Sequence, residues 1–373
     1  MDVHKETTVI SLAHAGRNGK VERYGTLSSS LHSMRKFLER NRKPNVKLHF
    51  VYEAGPTGFA LQRRLAAWNE DCIVVSPSHV PKKAGDRVKT DRRDADQLAR
   101  MHRNGELDAI RVPDPVDEAI RDLCRSRFDG KQDERRNRQR LKSFLLRNGY
   151  RYTGKTSWNT RHRRWLRELG VQHPAQKSTM EEYIMAIDQS GERISRIELQ
   201  LQLQIVDWDL YPLVKALMAL KGFGWLTATV MASELGDLRA YASARHLMSY
   251  FGLTTSEHST GERVRKGSIT KSGNSHARFF IVESAQHYCK RPKVSKELTD
   301  RQEGVDERIR EISWKAQNRL YKRAKALSHS GVMEQKIKVA LARELVGFVW
   351  AIGQLVDYPS SQGSAQGKRK GSG

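Results

Sequence analysis

The chain has 373 residues, enough for two or three compact domains with cores of their own. Its 67 Lys and Arg against 42 Asp and Glu give a net charge of +25 at pH 7, which predicts a polyanionic partner, most simply nucleic acid. The sequence has no apolar run of about 18 residues and no signal peptide. Its three cysteines match neither a zinc spacing nor a disulfide framework, so we expect a soluble protein of a reducing compartment.

The first hundred residues alternate between strand-like and helix-like segments. Runs of β-branched and apolar residues predict three strands, and apolar residues at helical spacing predict two helices, the first with Ser30 as its N-cap. The predicted strands are Thr8 to Ala13, Val46 to Tyr52 and Cys72 to Val75, and the predicted helices are Leu31 to Arg40 and Phe59 to Trp68. This order favours a central sheet covered by helices, part of it antiparallel.

Four carboxylates are placed where they can meet at one edge of such a sheet. Asp2 lies just before the first strand and Glu53 ends the second. Asp91 and Asp94 lie one turn apart on a predicted helix within KTDRRDADQLAR. Acids from two strand ends and one helix can hold two divalent ions about 3.5–4 Å apart, which stabilise the attacking and leaving oxygens of phosphoryl transfer. Oxygen ligands suit Mg²⁺, so we expect a magnesium site here.

Each of these acids also has a simpler explanation. Asp91 and Asp94 are favourable near a helix N-terminus, and they can pair with Arg92 and Arg93. Asp2 belongs to a chain start, where residues often fray. The ordered set of four acids, rather than any one of them, favours the metal site.

The segment from Val116 to Asn148 predicts a long and strongly basic helix. We expect four of its arginines, Arg135, Arg136, Arg138 and Arg140, to contact the backbone of a nucleic acid duplex or a structured RNA. A solvated helix face is an equally good explanation of the same charges.

A second long helical region follows from Met180 to Leu220. Ile187, Ile194 and Leu201 recur every seven residues in it, which is a fragment of a heptad pattern. The pattern fits an antiparallel hairpin against the earlier helix, and it fits a dimer seam equally well.

Between these two regions, the octapeptide GYRYTGKT at 149–156 matches the phosphate-binding pattern G-x-x-x-x-G-K-[ST] letter for letter. That motif needs a strand before it, and here a basic helical segment precedes it, so we do not expect ATP binding. The nearby aromatic residues Tyr152, Trp158 and Trp165 suit contact with RNA or DNA, although packing against neighbouring helices is the plainer role for the tryptophans.

The stretch from Thr254 to Arg278 places hydroxyls beside a glycine and a run of cations. A hydroxyl is a poor nucleophile alone, and clustered cations stabilise the charge that builds on a phosphodiester under attack. Ser259 or Thr260 is therefore a candidate nucleophile toward nucleic acid. The candidate cations are Arg263, Arg265, Lys266, Lys271 and Arg278. A polar loop with a solvated cationic face is the simpler explanation.

Several segments resemble the DEDD transposases of bacterial insertion sequences, in the insertion-sequence 110 family and its 1111-like branch. They are VHK after Asp2, EAGPTG around Glu53, KTDRRDADQLAR, ARHLMSYFGL, EHSTGERVRKGSITKSGN and HARFFIVESA. The resemblance implies an α/β RuvC-like (RNase H-type) domain at 1–112, a basic helical coiled-coil stalk at 113–220 and a mainly α transposase domain at 221–358. A flexible tail at 359–373 would follow.

The same resemblance implies a mechanism and partners. Asp2, Glu53, Asp91 and Asp94 would form a metal-binding tetrad. The family nucleophile is a serine just before a glycine, which falls on Thr260 by position and on Ser259 by residue type. The implied protein is a recombinase of the bacterial cytoplasm and nucleoid, guided by a non-coding bridge RNA. It would act as a homodimer or homotetramer on donor and target DNA.

Two other functions fit the same residues. A RuvC-like junction nuclease would use the acids and water, without a protein nucleophile. A non-catalytic RNA-binding protein would keep the basic surface and a degenerate metal site.

Overall fold

The structure, a computed structural model, describes residues 1–16, 18–77, 80, 90–260 and 263–358, with the backbone alone at 257–260 and 263–266. It divides into a first unit, 1–113 with 249–275, and a second unit, 114–248 with the residues from 276 onward. No helix among the described residues is long and apolar enough to cross a membrane. The predicted four-part division stays a prediction, and the predicted tail at 359–373 lies outside the described residues.

The described residues of 1–113 form two small sheets and three helices. An antiparallel sheet in the order β1-β2-β3 consists of Asp2–Val3 (β1), Thr7–Ala13 (β2) and Val21–Ser28 (β3), and a parallel pair consists of His49–Glu53 (β4) and Asp71–Val75 (β5). The helices are Leu31–Asn41 (α1), Ala60–Ala67 (α2) and Asp91–Arg103 (α3). The backbone nitrogen of Met1 donates a 2.8 Å hydrogen bond to the Val51 carbonyl, which joins β1 to β4.

The predicted strands and helices of this region are confirmed to within a few residues at each end. Ser30 caps α1 by accepting a 3.2 Å hydrogen bond from the backbone nitrogen of Ser33. The apolar spacing of α1 then buries Phe37, whose ring meets Tyr24 edge to face at 4.7 Å. Tyr52, on β4, is fully buried in the same core.

The described secondary-structure elements of the second unit are all helices, as predicted for the later part of the chain. Its helices are Pro115–Arg147 (α4), Thr160–Glu168 (α5), Pro174–Gln204 (α6), Tyr211–Met218 (α7), Trp225–Leu235 (α8), Ala244–Tyr250 (α9, which ends in the first unit), Ser275–Ala285 (α10, which begins there), Lys296–Gln302 (α11), Glu307–His329 (α12) and Glu334–Gly353 (α13).

The helices α4 and α6 pack antiparallel against each other. Arg127 near the start of α4 bonds Glu198 near the end of α6, whereas Asn148 at the end of α4 bonds Gln176 at the start of α6. The heptad residues of α6, including Ile194, are buried within the chain. The pattern therefore serves an intramolecular hairpin, one of its two explanations, while a coiled-coil stalk stays a prediction.

The stretch beginning at Thr254 differs from the loop that its composition suggested. Thr255–Thr260 (β6) and Arg263–Ile269 (β7) form an antiparallel hairpin. Its strands consist mostly of hydroxyl-bearing and charged residues, so the apolar alternation that marks a half-buried strand is missing. Pairing still forms because it satisfies the backbone donors and acceptors of both strands.

Candidate metal centre

Asp2 and Asp91 come together because α3 packs across the sheet beside β1. Asp2 is opposite Val9 in the pairing of β1 with β2, and α3 lies against both strands. A 2.5 Å hydrogen bond from the Ser11 hydroxyl to the Asp96 carboxylate ties α3 to β2. The first residue of α3, Asp91, is thereby placed near the end of β1.

His4 lies between the two aspartates. Its Nε2 is 3.1 Å from Oδ2 of Asp2 and 3.5 Å from Oδ2 of Asp91. One ligand atom from each of the three residues lies within 4.8 Å of the others. The Asp2 side chain is 21 % exposed and that of Asp91 62 % exposed, so the group is open to an incoming substrate on the Asp91 side.

The other two predicted ligands lie outside this three-residue group. Glu53 ends β4, two residues beyond the Val51 carbonyl that bonds Met1, and is half-buried. Asp94 is half-buried one turn after Asp91, and its backbone nitrogen bonds the carbonyl of Thr90. Their part in a metal site stays a prediction.

The donor set of the group fits a divalent cation. Two carboxylates placed together repel each other unless a positive charge lies between them, and a divalent ion supplies it. Carboxylate oxygens suit Mg²⁺ and Mn²⁺, whereas an imidazole nitrogen suits transition metals better than Mg²⁺. Asp2, His4 and Asp91 are the residues that could hold such an ion.

The candidate nucleophiles lie on the hairpin, and their side chains are outside the described part of the structure. In the backbone register, Ser259 is opposite Val264 and Thr260 is opposite Arg263. Both hydroxyl residues therefore occupy the last two positions of β6.

The cations predicted beside these hydroxyls divide into two groups. The side chains of Arg263, Arg265 and Lys266 lie outside the described residues. Lys271 is exposed and its backbone has φ +55°, the left-handed region, with its nitrogen bonded to the Gly252 carbonyl. Arg278 is half-buried on α10, and burial lowers its pKa.

Three of the four arginines predicted on α4 have ion-pair or hydrogen-bond partners on the same helix. Arg138 pairs with Glu134, and its guanidinium lies 4.8 Å from the centre of the Trp158 ring. Arg136 lies 3.4 Å from Asp133. Arg140 donates a 3.3 Å hydrogen bond to the Asn137 side-chain oxygen, and both Arg135 and Arg140 are exposed.

Reasoning from the sequence missed His4 as a partner of the acids. Its only signal was its position two residues after Asp2, at the end of a strand. The octapeptide at 149–156, by contrast, follows α4 and precedes α5. A helix thus stands where a phosphate-binding loop needs a strand, in agreement with the prediction.

Comparison with known proteins gives matches in both parts of the chain. A family model named DEDD_Tnp_IS110 and described as Transposase matches residues 1–148. A second, described as Transposase IS116/IS110/IS902 family, matches residues 214–299. The protein y4qE of Sinorhizobium fredii, named as a transposase, is 41 % identical over 352 residues, which cover 94 % of this chain and 87 % of that protein. The transposase for insertion sequence element IS1533 of Leptospira borgpetersenii is 29 % identical, over 88 % of this chain and 95 % of its own length.

A mixed α/β region with clustered acids and two transposase matches define the class of this protein as a DNA transposase, an enzyme of phosphoryl transfer on DNA. Within that class, the chain belongs to the IS116/IS110/IS902 family of transposases. Its DEDD-type domain implies a RuvC-like fold and dependence on a divalent ion, typically Mg²⁺. The non-catalytic alternative is set aside because the family consists of enzymes.

Proposed function

We propose that this transposase cuts and rejoins donor and target DNA through a covalent bond between a DNA phosphate and the hydroxyl of Ser259 or Thr260. The observation that carries the proposal is that the carboxylates of Asp2 and Asp91 lie close together, on either side of His4, in a chain whose family transposes DNA. The compact unit that contains these acids also includes residues 249–275, and hence the hairpin with both hydroxyls. That shared unit supports a joint role for the acids and the hydroxyl.

In the proposed step, the side-chain oxygen bonds to phosphorus as the bond from phosphorus to a sugar oxygen breaks. The hydroxyl proton leaves to a base, and the departing sugar oxygen takes up a proton, so that one phosphoester replaces another. Two divalent ions held by Asp2, Glu53, Asp91 and Asp94 would stabilise the charge that builds on the phosphate. Rejoining reverses the step with a different DNA end and frees the side chain.

The proposal includes a guide RNA and an oligomer. A net charge of +25 is compatible with holding an RNA and two duplexes together, and base pairing would then choose the DNA sequence. We expect strand exchange by the purified protein to stop after ribonuclease treatment and to return when the co-purified RNA is added back. Light scattering should give the mass of a dimer or tetramer.

A denaturing gel for a protein–DNA adduct tests the covalent step, with Mg²⁺, co-purified RNA and junction DNA present. One residue is the nucleophile in the proposed step, so we expect the adduct to disappear in Ser259→Ala or in Thr260→Ala but not in both. Ser256→Ala is the matched control, because the Ser256 hydroxyl donates a 3.2 Å hydrogen bond to the Ser268 carbonyl of its own hairpin. Loss of the adduct in Ser256→Ala alone would move the nucleophile to that residue.

A second candidate function is a junction nuclease in which water attacks the phosphate. The DEDD-type domain itself favours it, since acids that hold metal ions need no protein nucleophile. This candidate predicts cut DNA without an adduct, and unchanged cutting in both Ser259→Ala and Thr260→Ala.

A further inference from the structure

The second unit contains a cavity of about 650 Å³ that the metal centre does not explain. It lies between the C-terminal half of α4, the segment that follows this helix, and α5. Its volume is within the roughly 300–1,000 Å³ of typical ligand pockets. The residues that line the cavity distinguish the two roles considered for Trp158 and Trp165, which are packing against neighbouring helices and contact with nucleic acid.

One wall is aromatic and is arranged around His162. This histidine is only 6 % exposed, and its ring lies 4.7 Å from the ring of Tyr152, 5.0 Å from that of Trp158 and 5.7 Å from that of Trp165, measured between ring centres. The two tryptophans and Tyr152 are themselves only half-buried. The cluster thus keeps aromatic surface open to the cavity, as a site for stacking on a flat ring requires.

The backbone at Trp158 is strained. Its φ is +71°, in the left-handed region that a bulky side chain rarely adopts. The guanidinium of Arg138 lies over its ring, 4.8 Å from the centre. The contact with Arg138 lies at the cavity, since both Arg138 and Trp158 line it.

Two buried polar atoms at the cavity have no hydrogen-bond partner among the described residues. They are Nδ1 of His162 and Nε of Arg138. Buried polar groups are normally bonded, and an unbonded one in a lined cavity indicates a missing partner. A ligand with both donors and acceptors, such as a nucleobase, would satisfy them.

The rim of the cavity is cationic. Lys131, Arg135, Arg138, Lys142 and Arg151 line it, together with one carboxylate, Glu134. That carboxylate is already paired with two of these cations, Lys131 at 2.8 Å and Arg138. The remaining positive charge suits phosphates, and the exposed Leu146 adds apolar surface to the lining.

We propose that this cavity binds one unpaired base of a single nucleic acid strand, stacked on Trp158 and Tyr152, with the flanking phosphates on the rim cations. The inference rests on the proposed function only in that the protein handles nucleic acid. It requires neither a covalent step nor a bound metal ion, so an adduct gel can fail while the cavity still binds its base.

The test uses the full chain and a single strand of about ten nucleotides that is abasic except for one 2-aminopurine. A fully abasic strand carries the same phosphates and no base. We expect the single base to tighten binding roughly 5- to 150-fold, the range of base–aromatic stacking, and its fluorescence to be quenched on binding. Deoxyribose and ribose backbones, tested separately, distinguish DNA from RNA as the source of the base.

Variants separate the cavity from the general positive charge. In Trp158→Ala the gain in affinity from the base and the quenching of its fluorescence should both disappear, whereas Trp314→Ala, which removes a 46 % exposed tryptophan on α12, should keep them.

Lys142→Ala should weaken binding more than Arg140→Ala, since both residues are exposed on α4 and only Lys142 lines the cavity. Thermal melting identifies any variant that fails to fold. If Trp158→Ala fails to fold, the comparison of Lys142→Ala with Arg140→Ala tests the proposal. A base that adds no affinity, or a gain that survives in Trp158→Ala, would overturn the proposal.

Discussion

Carboxylates of the two units lie in opposite surroundings. In the second unit, Glu234 has a side chain only 1 % exposed, and Arg125 donates two hydrogen bonds to it, at 2.8 and 2.9 Å. In the first unit, Asp2 and Asp91 approach each other across one histidine, His4. A buried acid matched by an arginine has its charge balanced within the chain. Two acids gathered at a strand end are placed to share a cation from outside, and this difference separates a structural carboxylate from a candidate ligand.

The largest expected effect is the loss of strand cleavage in Asp91→Asn. The substitution keeps the shape of the side chain and removes a negative charge from the three-residue group. Since metal stabilisation of the reacting phosphate contributes several kcal/mol, the cleavage rate should fall about a thousandfold or more. Single-turnover cleavage in Mg²⁺ measures it.

The matched control for Asp91→Asn is Asp96→Asn on the same helix. Asp96 accepts a hydrogen bond from the Ser11 hydroxyl, and an asparagine oxygen can accept it as well. Cleavage should therefore remain within about tenfold of the native rate. Equal losses in the two variants would place the effect in the folding of α3 rather than in metal binding.

The second prediction concerns the ion pair of the second unit in which the Glu234 side chain is buried and the Arg125 side chain is 40 % exposed. Arg125→Ala leaves Glu234 buried without its arginine, and we expect the free energy of unfolding to fall by about 3 kcal/mol. Denaturant unfolding measures it. The double variant Arg125→Met/Glu234→Leu removes both charges and should recover most of the loss, because two apolar side chains need no counter-charge. A double variant as unstable as Arg125→Ala would contradict this account.

The third prediction tests whether His4 contributes to ion binding. His4→Ala should weaken Mn²⁺ binding about tenfold and Mg²⁺ binding less, because an imidazole nitrogen is a better ligand for the softer ion. Paramagnetic resonance of bound Mn²⁺ gives the dissociation constant without any reaction. His14→Ala is the control, since His14 also lies beside a carboxylate, Glu22, at 2.8 Å, but outside the group of three. Similar effects in both variants would remove His4 from the site.

The sequence predicted the elements whose local signals agree with one another. The long helix expected from Val116 to Asn148 is observed as Pro115–Arg147, because Asp114 caps its start and Gly149 follows its end with φ +82°. Three of the five described strands before Asp91 were predicted because each is an apolar, β-branched run, whereas Asp2–Val3 and the largely polar Val21–Ser28 were not predicted. The expected approach of acids to one another is observed for Asp2 and Asp91.

Features that depend on contacts between distant residues were not predicted. The place of His4 between two acids follows from the packing of α3 on β1, which no spacing along the chain encodes. The hairpin at 255–269 was missed because its polar strands lack the apolar alternation of a half-buried sheet. The cavity beside Trp158 depends on how the segment after α4 returns to that helix, and composition indicated only that aromatic and basic residues were near one another.

The smallest expected effect belongs to Asp188→Asn, which breaks an exposed ion pair of the second unit. Arg163 lies 2.6 Å from Asp188, nearer than Arg125 lies to Glu234, but the two side chains are 46 % and 43 % exposed. Water already solvates both charges, so we expect the free energy of unfolding to change by less than about 1 kcal/mol, below the loss in Arg125→Ala. The same denaturant unfolding measures both variants. If Asp188→Asn cost as much as Arg125→Ala, distance rather than burial would decide the strength of these pairs, and the contrast between buried and exposed carboxylates would no longer hold.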